Sequence, residues 1–334
     1  MTKGRKRIFV VVQQKPDGQT DSITFELLRS ATELSVGGGE LVCACILGYK
    51  VRKLPDTISY YADEVYVIDD VLLSEFHADL SASALEGLCR ELGPRTVLMG
   101  HNYENREVAP KLACKMKNDL ITDCVKIERD SETGCLLCTK PIYGGNAYAI
   151  FQLDTEPQIV TLRPKSTESL EKGVSAGQII PFWHKVSETD ALSKSLEIVP
   201  EGHVVSLTQA DAIVAGGRGV KTAEGIGELQ KLVEVLKKYF SKVELGASRA
   251  LVDEGLVSHS HQVGQTGEIV NPQLYIAVAI SGAAQHMAGI AGAKKILAIN
   301  KDPDASIFGA SDYGVVGRYE DIIPALIKQL MELQ

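Results

Sequence analysis

The sequence contains none of the long apolar segments that mark membrane proteins, and we do not expect its first residues to be a secretory leader. No stretch approaches the roughly 18–20 apolar residues of a membrane-spanning helix, and apolar runs such as 8–12 and 276–280 fall far short of it. A basic start at residues 1–7 is followed by only a short apolar run before Gln13. That run is too short for the core of a secretory signal. We therefore expect no membrane span and a cytoplasmic protein.

The cysteines lack the spacing of a metal site or an iron–sulfur cluster. There are seven, an odd number scattered through apolar segments, as is typical of reduced thiols in a reducing compartment. One Cys-x-x-Cys, Cys135 to Cys138, follows a predicted hairpin turn at 130–134 and has neither a second pair nor a nearby histidine. No Cys-x-x-Cys-x-x-Cys run is present. We expect these thiols to serve packing and expect no metal site.

Clustered positive charge is also missing. The chain has 35 lysine and arginine residues against 43 acidic residues and a net charge of −8, with no basic cluster beyond residues 1–7. This balance argues against nucleic acid as a partner. The 334 residues are 45% hydrophobic and 23% charged, which is typical of a soluble globular protein with two domains.

What the first 165 residues do contain is a strand–helix alternation. Short apolar runs rich in Val and Ile predict strands, and apolar residues at three- and four-residue spacing predict helices between them. The predicted strands are 8–12, 41–47, 64–68, 96–100, 121–127, 140–151 and 158–162, and the predicted helices include 23–34 and 80–92. This alternation indicates a parallel sheet covered by helices on both faces. No Gly-x-Gly-x-x-Gly follows the first strand.

Residues 165–205 are polar and charged, with one strand-like piece at 195–199, and we place a domain boundary near residue 205. The alternation then resumes. The predicted strands are 210–215, 243–246, 274–280, 295–299 and 314–316, and the predicted helices are 222–240, one from 249, one from 282 and 320–333. The fold class is therefore α/β, with two domains at 1–205 and 206–334. Each is a mainly parallel sheet flanked by helices.

The turns after the strands of the second half are rich in glycine, hydroxyl, amide and cationic groups. They are Gly216-Gly217-Arg218-Gly219, Gly246-Ala247-Ser248-Arg249, Gln262-Val263-Gly264-Gln265-Thr266-Gly267, Ser281-Gly282-Ala283-Ala284-Gln285-His286 and Asn300-Lys301-Asp302-Pro303. Ligands of an open parallel sheet bind beyond the carboxyl ends of the strands. Glycines admit close backbone approach, and arginine suits phosphate. Neither paired carboxylates nor a nucleophile–base pair is present in these turns. The turns predict a site for a nucleotide cofactor.

Taken in order, these motifs closely resemble the α subunit of electron-transfer flavoproteins. The matching sequence runs from Gly216 to Gly314 and includes Leu274-Tyr-Ile-Ala, Ala298-Ile-Asn-Lys-Asp-Pro and Asp312-Tyr-Gly; first-half landmarks stand at 109–113, 122–124, 140–147 and 162–164. The resemblance covers nearly the whole chain. It implies an N-terminal domain similar to nucleotide hydrolases that contacts a β subunit, and a C-terminal domain that binds FAD.

The resemblance also implies roles for individual residues. The cofactor-binding set would be Gly217, Arg218, Ser248, Arg249, Gln262, Val263, Gly264, Gln265, Thr266, Ser281, Gly282, Ala283, Ala284, Gln285, His286 and Asn300. Arg218 and Ser248 would meet the pyrophosphate, and residues 263–266 would line the flavin with the Thr266 hydroxyl near its N5. Residues 281–286 would wrap the ribityl chain and the pyrimidine side, and Asn300 would lie toward the adenosine.

His286, Arg249 and Thr266 are the residues we expect to tune the flavin rather than to catalyse proton transfer. Reduction by one electron places negative charge on the N1–C2=O2 edge of a flavin. A hydrogen-bond donor at His286 and a cation at Arg249 would stabilise that charge and raise the first reduction potential. The structural alternatives are a capping or core role for His286 and an ordinary salt bridge for Arg249.

Three positions depart from the family pattern. Ala279 stands where the family often has glycine, Glu268 where lysine is common, and Arg318 where an aspartate often meets the adenosine end. We therefore do not transfer the last contact. His259 and His261 are additional, and we expect solvent-facing histidines there rather than a metal pair.

As a family member, the chain would form a heterodimer with a β subunit and carry one FAD, while the β subunit would hold AMP or a second FAD. The complex would carry electrons between flavin-dependent dehydrogenases, such as acyl-CoA dehydrogenases, and an acceptor protein. Ordinary transfer and bifurcation with NADH and ferredoxin or flavodoxin both stay open. The alternatives are a self-sufficient flavin-dependent oxidoreductase and a regulatory nucleotide-binding module without flavin.

Overall fold

The chain forms two compact units. The computed structural model describes residues 6–15, 18–36, 39–51, 53–130, 132–145, 147–183, 186–194 and 207–332. The first unit comprises residues 1–141 and 148–198, and the second comprises 142–147 and 199–334. The predicted boundary near residue 205 and the predicted strand at 195–199 lie outside the described residues, so both stay predictions.

The first unit is built on a seven-stranded parallel sheet. The strands of the unit, seven of which form this sheet, are β1 (Arg7–Val11), β2 (Leu41–Gly48), β3 (Glu64–Asp69), β4 (Thr96–Gly100), β5 (Leu120–Cys124), β6 (Lys126–Arg129), β7 (Leu136–Ile142), β8 (Ala147–Leu153), β9 (Gln158–Leu162) and β10 (Gln178–Pro181). Its helices are α1 (Ser22–Val36), α2 (Leu54–Ile58), α3 (Ala78–Leu92) and α4 (Asn105–Met116). The order in the main sheet is β10-β3-β2-β1-β4-β9-β5, and β6, β7 and β8 form a separate sheet in which β6 and β7 are antiparallel.

Both faces of the main sheet are buried, as the continuous apolar strands predict. Phe9 and Val11 of β1 pack with residues of α3 and α4, whereas Ile8 and Val10 pack with residues of α1 on the opposite face. This alternation follows the two-residue period of a strand. Helices therefore cover both sides of the sheet, and the predicted α/β class is confirmed.

Two predicted strands of this unit are each two strands in the structure. The run 121–127 breaks between β5 and β6, because Asp123 has a positive φ of 62° and the register shifts there. The run 140–151 breaks at the turn between β7 and β8, where Tyr143 and Gly145 have φ values of 51° and 91°. Apolar alternation continues through both breaks, so periodicity alone does not reveal them.

The second unit is a five-stranded parallel sheet in the order β12-β11-β13-β14-β15. Its strands are β11 (Ala212–Gly216), β12 (Val243–Ala247), β13 (Leu274–Val278), β14 (Ile296–Asn300) and β15 (Tyr313–Val316), and its helices are α5 (Ala223–Leu236), α6 (Arg249–Asp253), α7 (Ala284–Ile290) and α8 (Tyr319–Glu332). Residues of α5 and α8 pack on one face of the sheet, and Ile290 and Ile307 pack on the other. Since all strands are parallel, the turns that follow them share one edge.

Glu26 on α1 gives the first unit a pH-dependent stability. The carboxylate is buried and accepts a hydrogen bond from the Lys165 backbone N–H at 2.7 Å. Burial outweighs the Lys165 and Ser166 backbone bonds and raises the pKa of Glu26 to about 7. Folding therefore favours the protonated carboxyl, and this contribution to stability is lost as the pH rises through that value.

Glu26→Gln should remove this pH dependence, because glutamine does not titrate. Relative to the variant, the parent should lose on the order of 3 kcal/mol of unfolding free energy between about pH 4 and pH 8, as follows from a pKa raised from 4.5 to about 7. Urea unfolding of both proteins at both pH values measures the change. A difference between parent and variant that is the same at both pH values would contradict this role for Glu26.

Candidate functional site

The second unit contains a cavity of about 860 Å³ at the carboxyl edge of its sheet. The turns after β11, β12, β13 and β14 and the loop 262–267 line it, as the sequence predicts. The predicted residues among its lining are Gly217, Arg218, Ser248, Arg249, Gln262, Val263, Gly264, Gln265, Thr266, Ser281, Ala283, Gln285, His286 and Asn300. This volume falls in the usual range of ligand sites.

Two predicted residues, Gly282 and Ala284, are not among the lining residues. Gly282 has a positive φ of 88°, and a Cβ there would overlap the Ile307 backbone N–H. This glycine therefore permits two chain segments to meet rather than facing a ligand. Residues outside the predicted cofactor-binding set also line the cavity: Gly219, Lys221, Ala250, Asp253, Ala279, Ile280, Lys301, Asp302, Asp304, Ala305 and Ser306. Several of them belong to or follow the glycine-rich turn after β11 and the Asn300–Pro303 turn. The sequence pattern of these turns could therefore have identified them.

The turn after β11 passes directly against the end of β13. A Cβ on Gly217 would lie 2.6 Å from the Ala279 carbonyl carbon and 2.7 Å from the Ile280 Cα. A 3-10 turn at Arg218–Val220 follows, and the Tyr319 hydroxyl donates to the Val220 carbonyl at 3.0 Å. The glycine is thus required for contact between two backbone segments, and Arg218 is left exposed at the cavity rim.

The loop 262–267 is held from both sides by backbone hydrogen bonds. The Val263 N–H donates to the Ala247 carbonyl at 2.9 Å, and the Gln265 N–H donates to the Gln285 carbonyl at 2.8 Å. The buried Gln262 amide donates to the Thr266 hydroxyl oxygen at 3.0 Å. Because this bond uses a lone pair of Thr266, the exposed hydroxyl keeps its own proton for another acceptor.

His286, at the third position of α7, is the most buried titratable group of the cavity lining, with 7% of its surface exposed. Its Nε2 lies 3.0 Å from the Tyr275 hydroxyl oxygen. Its Nδ1 is buried without a hydrogen-bond partner among the described residues. Burial lowers the pKa of His286 to about 4, and a contact with the Val263 backbone that falls outside ordinary hydrogen-bond geometry opposes this effect more weakly. The ring is therefore neutral at pH 7.

Arg249 differs from His286 in being open to solvent. Its side chain is 69% exposed, and its Nε lies 3.4 Å from an Asp253 carboxylate oxygen one helical turn away. Such exposed pairs contribute at most about 1 kcal/mol, so the pair does not hold the guanidinium in place. Arg249 and His286 both line the cavity, together with the cations Arg218, Lys221 and Lys301.

Asn300 joins two of the turns. Its side-chain amide donates to the Ile280 carbonyl at 2.8 Å, and its carbonyl oxygen accepts from the Asp302 N–H at 3.0 Å. These bonds fix the turns after β13 and β14 relative to each other. Asn300 therefore has a positioning role as well as its place in the cavity lining.

Two of the three departures from the family pattern lie away from the cavity lining. Arg318 is exposed and lies 3.5 Å from a Glu320 carboxylate oxygen. Glu268 contributes its backbone to the loop, through its N–H bond to the Gln262 carbonyl at 2.8 Å.

His259 and His261 lie in a 3-10 turn, where His261 Nδ1 is 3.0 Å from the Ser258 hydroxyl. Across the described residues, no three His, Cys, Asp or Glu side chains are placed to hold a metal ion.

The third departure, Ala279, lines the cavity and has a φ of 55°. The left-handed conformation is unfavourable for alanine by roughly 1–2 kcal/mol. Ala279 therefore takes up the backbone conformation for which glycine is suited.

Ala279→Gly should stabilise the second unit by about 0.5–1 kcal/mol, since the strain it relieves exceeds the entropy it adds to the unfolded chain. Thermal unfolding of the two proteins measures the difference. A lower melting temperature for the variant would contradict the strain at this position.

Known proteins match the chain along almost its full length. The Electron transfer flavoprotein domain matches residues 8–182, and the Electron transfer flavoprotein FAD-binding domain matches residues 206–291. The electron transfer flavoprotein subunit alpha of Thermoanaerobacterium thermosaccharolyticum is 39% identical and is covered to 99%, with 98% of this chain aligned. The chain belongs to the electron transfer flavoprotein alpha subunits.

Other relatives agree with this family. The electron transfer flavoprotein subunit alpha of Bacillus subtilis is 36% identical over 97% of both chains, and the protein FixB of Clostridium saccharobutylicum is 34% identical over 98% of this chain and 97% of its own length. Among solved structures, the glycosyltransferase VinC in complex with dTDP aligns at 10% identity over 97% of this chain and 91% of its own, with a TM-score of only 0.25.

Membership in the family establishes a role in electron transfer and a flavin-binding second domain, and it implies a β-subunit partner and a dehydrogenase. The helices of the described ranges include none with the length and apolarity needed to cross a membrane.

The cavity residues fit FAD. Cationic side chains lie where a pyrophosphate could be met, and the unpartnered Nδ1 of His286 is a buried polar atom in need of a partner. Gly264, with a φ of 144°, keeps side-chain atoms out of the loop beside α7. Bound FAD would supply one- and two-electron redox chemistry, and the protein supplies binding, orientation and electrostatics.

Proposed function

We propose that the chain binds one FAD in this cavity and, as the α subunit of a heterodimer, carries electrons between a flavin-dependent dehydrogenase and an acceptor protein. The observation that supports this most strongly is the convergence of five loops on one cavity with cations at its rim and a buried imidazole in its lining. The lining carboxylates Asp253, Asp302 and Asp304 are exposed, and Asp253 pairs with Arg249 while Asp302 accepts from the Asp304 N–H at 3.0 Å. The function we propose is electron transfer without bond chemistry of its own.

Within the cavity, we assign the phosphate end of FAD to Arg218 and Ser248 and the adenosine end to the region of Asn300. The flavin would lie by residues 263–266, where the Thr266 hydroxyl has a proton to donate. Residues 281–286, without Gly282 and Ala284, would meet the ribityl chain and the pyrimidine side of the ring.

We further propose that His286 and Arg249 favour negative charge on the flavin. A neutral His286 acts here as a hydrogen-bond donor, and Arg249 acts through its charge, which the weak pair with Asp253 leaves available. A hydrogen bond that involves a charged group contributes about 1.5–3 kcal/mol, and 1.4 kcal/mol is a tenfold change in an equilibrium constant. One such bond is enough to shift a redox equilibrium by more than tenfold.

The cofactor of the β subunit would depend on the kind of electron transfer that the complex performs. The β subunit would hold AMP in an ordinary transfer complex or a second FAD in a bifurcating complex that uses NADH and ferredoxin or flavodoxin. Counting flavins per purified heterodimer separates the two forms. A cytoplasmic location is proposed on the seven free cysteines, five of which are buried.

The decisive test reconstitutes the heterodimer with FAD and follows flavin absorption under anaerobic conditions. We expect bleaching when a flavin-dependent dehydrogenase and its reduced substrate are both added, and no bleaching with an acyl-CoA substrate alone. Bleaching by the organic substrate without a dehydrogenase would contradict the carrier function and favour a self-sufficient oxidoreductase. A heterodimer that takes up no flavin would favour a regulatory nucleotide-binding module.

A further inference from the structure

We propose that Tyr275 is a positioning residue for His286: its hydroxyl donates to Nε2 and so places the ring proton on Nδ1, the nitrogen that makes no hydrogen bond of ordinary geometry to a described residue. Tyr275 lies in β13, and its side chain is fully buried beneath the cavity. This inference deepens the proposed function, and it rests on that function for the identity of the acceptor, an oxygen or nitrogen on the pyrimidine edge of the flavin.

The hydrogen-bond inventory of the pair selects one tautomer. A neutral imidazole has one N–H donor and one lone-pair acceptor, and a phenol has a proton that needs an acceptor when it is buried. If Nε2 carried the proton, both the Tyr275 proton and the Nδ1 lone pair would be unsatisfied within the described residues. If Nε2 accepts from Tyr275 at 3.0 Å, only the Nδ1–H remains to be satisfied. A buried polar group without a partner pays its full desolvation cost, so the second arrangement, which leaves one such group instead of two, is preferred.

The ionisation states of the two groups agree with this arrangement. Burial raises the pKa of Tyr275 well above its ordinary value, so the phenol keeps its proton. Burial also lowers the pKa of His286 to about 4, so the ring carries a single proton at pH 7. The Tyr275 oxygen and the two ring nitrogens of His286 together hold two protons. One proton stays on the Tyr275 oxygen, and its hydrogen bond to Nε2 leaves the other on Nδ1.

The ring of Tyr275 adds a second constraint. Its centroid lies 6.1 Å from that of His286 with an interplanar angle of 57°, a tilted contact between two buried rings. The aromatic ring thus supports the orientation of the imidazole, and the hydroxyl sets its tautomer. Tyr275→Phe separates these two effects because it keeps the ring and removes only the hydroxyl.

The first experiment measures the ring ¹⁵N resonances of His286 in the full heterodimer labelled with ¹⁵N-histidine, with the signals assigned by their loss in His286→Asn. In the parent we expect a protonated Nδ1 and an unprotonated Nε2, with or without FAD. In Tyr275→Phe this preference should be lost. The control Tyr239→Phe removes a hydroxyl that donates to the Leu330 carbonyl in the same unit, away from the cavity, and should leave the resonances unchanged.

The second experiment measures FAD affinity and the first reduction potential of the same proteins. Tyr275→Phe should bind FAD about threefold to tenfold more weakly, the effect of one weakened hydrogen bond, and its potential should be more negative. Tyr239→Phe should match the parent in both.

The inference fails if His286 carries its proton on Nε2 in the parent, or if Tyr275→Phe keeps the parental tautomer. The parent spectrum alone decides the first point, even if the variant does not fold. If no protein binds FAD, the proposed function fails, while the ¹⁵N pattern still decides the tautomer. If FAD binds to the parent and the tautomer is insensitive to Tyr275, the inference alone is wrong.

Discussion

Gly217→Ala is expected to weaken FAD binding by about tenfold to a hundredfold and to destabilise the second unit by about 1–3 kcal/mol. The added Cβ would overlap the Ala279 carbonyl oxygen and lie 2.7 Å from the Ile280 Cα. Backbone atoms cannot yield as the end of a flexible side chain can. The turn that carries Arg218 must therefore move away from the end of β13, and the cavity between them changes shape.

Gly227→Ala is the matched control for this substitution. Gly227 lies within α5, and no atom stands within 4 Å of the position its Cβ would take. Alanine there should stabilise the helix by roughly 0.5–1 kcal/mol and leave FAD binding unchanged. FAD titration by flavin fluorescence, with thermal unfolding of both variants, measures the contrast. Parental affinity in Gly217→Ala would show that the contact of the two turns does not shape the site.

Glu40→Gln should cost the first unit about 3–5 kcal/mol of stability, the other large effect. The Glu40 side chain is 2% exposed and accepts hydrogen bonds from Arg129 at 3.0 Å and Arg95 at 3.2 Å. Both arginines also donate to the Gly134 carbonyl. Without the carboxylate, the two adjacent guanidinium groups keep only the half-exposed Glu156, whose carboxylate lies 3.2 Å from Arg95 Nε, and the hairpin between β6 and β7 loses its attachment to the start of β2.

Glu33→Gln is the matched control for this substitution, because it removes a carboxylate whose charge is already stabilised by water. Glu33 pairs with Arg29 on α1, and both side chains are exposed. This change should stay within about 0.5 kcal/mol of the parent. Urea unfolding of the two variants gives the comparison, and FAD affinity should be parental in both. Equal destabilisation by the two substitutions would rule out the buried network as the source of the effect.

The sequence was informative wherever a local pattern determines the structure. Thr96–Gly100 and Gln158–Leu162 match their predicted bounds because a short apolar run between polar residues has few other conformations. The turns at the carboxyl edge were predictable because parallel strands end together and because glycine and polar residues cluster there. The break at Asp123 was missed, since a positive φ in a non-glycine residue depends on contacts distant in sequence, here the bidentate Arg163.

Contacts between side chains on different elements were the other part that the sequence could not give. Tyr275 looked like one more apolar strand residue, and its bond to His286 requires β13 and α7 in their folded positions. The structural role of Gly217 was likewise hidden, since a glycine beside a ligand and a glycine beside another strand have the same sequence pattern. The geometry shows that Gly217 lies against the end of β13, and its contact with a ligand is part of the proposal.

The location of the flavin tests the central claim most directly. In a crystal structure of the heterodimer with FAD, we expect the cofactor among the turns after β11, β12, β13 and β14. Its pyrimidine edge should accept a hydrogen bond from His286 Nδ1, and its pyrophosphate should lie near Arg218. FAD bound elsewhere in the complex, with these turns facing solvent, would contradict the account.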